Sequence, residues 1–73
     1  MNSNPETLLI HRLRRWASDF RKQKGTLPTL SDLEKGGFPK DLVAKAVKQG
    51  KLEELYVTMT SGAIAKGYKA KVD

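Results

Sequence analysis

A chain of 73 residues has room for a single domain, and a domain this small buries only about 60% of the surface that its unfolded chain exposes. It has no cysteine, which excludes disulfides and thiolate zinc sites as staples and suits a reducing cytoplasm. Fourteen Lys and Arg against eight Asp and Glu give a formal charge of +6, a balance that favours a polyanionic partner, because neutralised phosphates release counterions.

No apolar run approaches the roughly 18 residues of a membrane span. "LLI" at residues 8–10 is too short for a signal-peptide core, and arginines follow it at once. The expectation is a soluble, unprocessed, cytoplasmic protein without a membrane partner. The charge is unevenly placed. Residues 1–25 hold six Lys and Arg against Glu6 and Asp19, whereas the two later thirds each carry four lysines against three acids.

The first predicted element is a helix over about 5–24. Pro5 suits its first turn and Asn4 is a candidate cap. Leu9, Leu13, Trp16 and Phe20 recur as one apolar stripe, widened by Ile10 and Ala17, and Gly25 follows Lys22 and Lys24 as a stop. "TLPT" (26–29) is a connector. A short helix over about 31–36 is predicted next, with Ser31 as its cap, Asp32 and Glu34 in its first turn, and Gly36–Gly37 as its end.

A third helix is predicted over about 39–49, with Pro39 in its first turn and Gly50 after its end. Leu42, Val43, Ala46 and Val47 share one face; Lys40, Asp41, Ala44, Lys45 and Lys48 share the other. "KLEELY" is composed of good helix formers and leaves open an extension past Gly50. A hairpin over about 52–71 follows. In "LYVTMT" (55–60), Leu55, Val57 and Met59 alternate with Tyr56, Thr58 and Thr60; "SG" at 61–62 marks a turn and "AIAKGYKAKV" the return strand. In that strand Lys66 shares a side with Ile64 and Tyr68. A bulge at Gly67 or a snorkelling lysine would reconcile the pattern.

The order of elements, carried by "LSDLEKGGFPKDLVAKAVKQGKL" and "YVTMTSGAIAKGYKAK", resembles the winged helix-turn-helix superfamily over roughly residues 5–71. "QGKL" looks like the handover from the recognition helix to the first wing strand. The resemblance implies one α+β domain, residues 1–73, of three helices and a two-stranded wing. It also implies double-stranded DNA as partner, with the third helix in the major groove and the wing on the backbone, in a regulator of transcription.

On that reading the small Ala44 lets the backbone approach DNA, and Lys40, Lys45 and Lys48 reach phosphates or a guanine edge. The wing would add Lys66, Lys69 and Lys71, with Thr58 and Thr60 as hydroxyl donors. Two copies are expected, since one module offers an interface of only about 600–1,000 Å².

Two features pull elsewhere. "HRLRR" lies on the first helix, where Arg12, Arg14 and Arg15 would touch flanking phosphates or dock an acidic protein partner. The third helix lacks Arg or Asn near its start, and its lysines equally fit a solvated face. RNA, recognised by shape, is a further alternative. His11 is the sole histidine, with no second ligand or carboxylate pair in a recognisable motif, and "GAIAKG" lacks the Lys-Ser/Thr ending of a phosphate-binding loop. The sequence therefore predicts neither an enzyme nor a cofactor or metal.

Overall fold

The computed structural model describes residues 5–71. Three helices, α1 (Pro5–Lys24), α2 (Leu30–Lys35) and α3 (Lys40–Lys48), precede an antiparallel hairpin of β1 (Leu52–Thr58) and β2 (Ile64–Ala70). This is the α+β layout expected from the sequence. The Asn4 cap lies outside the described residues. No described helix is long and apolar enough to cross a membrane.

α1 has the expected bounds and buries one side of the expected stripe. Ile10, Leu13 and Ala17 face inward, while Leu9 is 42% exposed. Trp16 and Phe20 are half-buried at the margin, stacked with ring centroids 5.4 Å apart. The small Ala17 at the centre of the contact lets α1 lie close, and rings there would hold it away. The aromatic residues therefore flank the contact instead of forming its middle.

α2 starts one residue earlier than expected, and its cap is Thr29, not Ser31. The Thr29 hydroxyl accepts from the Asp32 N–H at 3.3 Å, and the Asp32 carboxylate accepts from the Thr29 N–H at 3.0 Å. This reciprocal capping box satisfies two donors that the helix itself leaves open. Thr29 also bridges to Gly67, so the hairpin helps hold it in the extended conformation of a cap. Ser31 is simply an exposed helical residue.

α2 and α3 end in the same way. The Phe38 N–H donates to the Leu33 carbonyl at 3.0 Å and that of Gly37 to Glu34 at 3.0 Å; the Lys51 N–H donates to Ala46 at 2.9 Å and that of Gly50 to Val47 at 3.0 Å. Such paired closures need a left-handed residue, supplied by Gly37 at φ 97° and Gly50 at φ 74°. α3 thus stops before Gly50, and "LEELY" enters β1 instead of extending the helix. Pro39 caps α3 from outside, so the helix begins at Lys40.

The core joins Ile10 and Leu13 of α1, Leu33 of α2, Phe38 in the corner, Leu42, Val43 and Ala46 of α3, and Leu52 and Tyr68 from the root of the hairpin. Strand pairing runs without a break from Leu52↔Ala70 to Thr58↔Ile64, so there is no bulge at Gly67. Gly67 instead makes room: a β-carbon there would lie 3.1 Å from Leu27 Cβ and 3.2 Å from Val57 Cγ1. β1 ends at Thr58, earlier than expected. Met59 and Thr60 belong to the turn, where the Gly62 N–H donates to the Met59 carbonyl at 2.9 Å. The hairpin outruns the core beyond Tyr68. Its inward face there holds exposed Lys66 and Ile64, which removes the conflict over Lys66.

Candidate nucleic-acid interface

α3 presents Lys40, Ala44 and Lys48 at i, i+4 and i+8, all exposed. Lys40 and Ala44 form one wall of a groove of about 590 Å³, with Leu30 and Ser31 of α2 beside them. Glu54, Lys66 and Tyr68 of the hairpin form the opposite wall, and Met59 reaches in from the turn. The fold thus brings two lysines from different elements, Lys40 and Lys66, to one concave surface, with Lys48 farther along the same helix.

The hairpin wall also carries an acid. Glu54 Oε2 accepts from the Tyr68 hydroxyl at 3.0 Å, and its Oε1 lies 3.5 Å from Lys66 Nζ. Burial, reinforced by the hydrogen bond to this carboxylate, pushes the Tyr68 hydroxyl up to about 12. Tyr68 is therefore a neutral donor at physiological pH. It fixes Glu54, and Glu54 in turn restrains Lys66.

Lys45 faces the other way. Its Nζ lies 2.8 Å from Glu6 Oε2 of α1. That hydrogen bond and the accompanying charge attraction raise the lysine and lower the glutamic acid. Lys69 is separated from Lys66 by strand alternation and borders a cleft with Ala17, Ser18 and Leu27. Thr58 and Thr60 border a third hollow with Arg21 and Thr26. Lys71 meets α1: its carbonyl accepts from the Arg14 guanidinium, and its N–H donates to the Lys51 carbonyl at 3.1 Å.

The arginines of α1 divide as well. Arg12 and Arg15 are exposed around a depression that also holds Leu8, His11 and Ala70. Arg14 is half-buried, with its Nε enclosed and unpartnered among the described residues. It ties α1 to the chain after β2. Sequence reasoning missed Glu54 and Arg21. Counting alternation from Leu52 would have put Glu54 on the same face as Lys66, whereas nothing local to Arg21 signals its nearness to Thr58.

Among the described residues no three His, Cys, Asp or Glu side chains are grouped to hold a metal ion. No family model, curated protein or solved structure matches this chain.

Proposed function

We propose that this is a small double-stranded DNA-binding protein of the winged helix-turn-helix kind, acting in the cytoplasm as a regulator of transcription. The observation that carries the reading is that Lys40 and Ala44, continued along α3 by Lys48, border a groove whose far wall contributes Lys66. α3 would enter the major groove, the gap at Ala44 allowing close approach, and the hairpin would follow the backbone. Lysines without an arginine or asparagine at the helix start favour phosphate over base edges, so two copies on adjacent half-sites would supply much of the selectivity.

The test is fluorescence anisotropy of a labelled random duplex across a salt series, for wild type and for Lys40→Glu combined with Lys48→Glu. A log–log salt slope of several units that collapses in the double variant supports the reading. Unchanged affinity in the double variant sinks this placement of the DNA face.

A second reading rests on Leu8, which is 49% exposed beside exposed Arg12 and Arg15. An apolar centre rimmed by cations fits an acidic protein segment. Arg12→Glu with Arg15→Glu would abolish such docking while only weakening DNA binding. Equal loss of both activities would remove the distinction.

A further inference from the structure

We propose that the outer part of the hairpin, Tyr56 and Ile64 around Lys66, is a platform for an unstacked nucleobase, so that the protein prefers duplex DNA that is locally open. The proposal takes its partner class from the DNA reading above and shares Lys66 with it, but adds Tyr56 and Ile64, which that reading does not use. Tyr56 is 75% and Ile64 71% exposed, at positions where a hairpin serving only to hold phosphates would need neither. The register places Tyr56 directly across from Lys66 and Thr58 across from Ile64, and alternation puts all four on one face.

That face buries Leu52 and Tyr68 at the root and then runs out past the core. A ring and an aliphatic side chain around an ammonium match a nucleotide. The base lies on Tyr56, Ile64 fills the space left by its lost neighbour, and the adjoining phosphate meets Lys66. The Lys66–Glu54 pair, 3.5 Å apart with side chains 53% and 38% exposed, is partly solvated, so a phosphate competes with Glu54 for the ammonium. A protein partner fits less well. Standard interfaces use about 20–30 residues a side, and this narrow ribbon offers only a few side chains.

The experiment compares a labelled, fully paired duplex with the same duplex carrying a short central mismatch bubble. Wild type should bind the bubble about tenfold more tightly, at the low end of what stacking one base on an aromatic ring supplies. Tyr56→Ala combined with Ile64→Ser should bind both alike with paired-duplex affinity kept, and Tyr56→Phe should retain the preference. Both residues are exposed, and equal thermal melting of the variants verifies that the fold is intact. Equal binding of the two duplexes by wild type, or a preference that survives the double variant, overturns the proposal. So does a concentration-dependent dimer, seen by sedimentation, that the same double variant dissolves, since a second copy would then occupy the patch. A wild type that binds the bubble but not the paired duplex sinks the duplex reading and leaves this one standing. Binding to neither overturns both.

Discussion

The indole of Trp16 lies against the backbone of Gly36: a β-carbon there would stand 2.6 Å from the ring's Cζ2 and 2.7 Å from Cε2. α1 thereby packs on the end of α2 at a point where no side chain fits. Gly36→Ala should force the ring aside, cost about 1–3 kcal/mol and shift the emission of the single tryptophan. Gly37 has open space around its α-carbon but a φ of 97°. Gly37→Ala should cost about 1 kcal/mol by backbone strain and leave the emission alone. Thermal melts read with tryptophan fluorescence separate the two, and identical spectra for both variants would contradict the contact.

Thr29 serves α2 as cap and the hairpin as a bridging residue. Thr29→Ala should lower stability by about 1 kcal/mol, a fall of roughly 4–8 °C in Tm for a domain of this size. Ser31→Ala should be close to neutral. The reverse ranking in matched melts would return the cap to Ser31.

Tyr68 gives the fold a dependence on alkaline pH. Its hydroxyl is pushed up to about 12, first by burial and then by the Glu54 carboxylate. Below about pH 10 the tyrosine is protonated in both folded and unfolded chains, and its contribution is constant. Between about 10 and 12 the unfolded chain gives up the proton while the folded chain keeps it, so stability falls as pH rises. Glu54→Gln should narrow that window from its upper end. Denaturant titrations across the range test the fall. Tyrosinate absorbance in a Tyr56→Phe background, where Tyr68 is the one tyrosine left of two, locates the ionisation.

The same substitution bears on DNA binding. Glu54 places a negative charge in the proposed groove and holds Lys66. Glu54→Gln should raise duplex affinity and steepen the salt slope by about one unit as Lys66 becomes free for a phosphate. Lys45→Gln should change the slope little, because Lys45 is paired with Glu6 on the margin of α3 away from the groove. A larger loss from Lys45→Gln than from Lys40→Gln would move the interface toward α1.

Much of this layout could be read from the chain because its punctuation is local. Pro5, Pro39 and the glycines at 25, 37 and 50 mark helix ends through backbone geometry that no distant contact overrides. The misreadings arise where tertiary partners decide. The stripe Leu9–Leu13–Trp16–Phe20, widened by Ile10 and Ala17, is one face of a helix, and which side of it is fully buried depends on how closely α3 and the hairpin approach. Thr29 and Ser31 are both good caps, and the bridge to Gly67, far along the chain, favours the first. Glu6 reaches Lys45 across 39 positions, so a carboxylate that competes with phosphate for this lysine leaves no local trace. Lys66 and Lys69 are a different case, since an odd spacing in a strand already puts them on opposite faces.

At its root β2 is bonded on both sides. It pairs with β1, while the Tyr68 N–H reaches the Pro28 carbonyl at 2.9 Å and Gly67 meets Thr29. β1 pairs along one edge only among the described residues. Amide hydrogens should therefore exchange with solvent slowly around Tyr68, faster along the outward edge of β1 and fastest at the turn. A ribbon clamped at one end in this way should bend most at the other, so the groove wall near Tyr68 should hold its place while Lys66 and Met59, farther out, follow the contour of a surface.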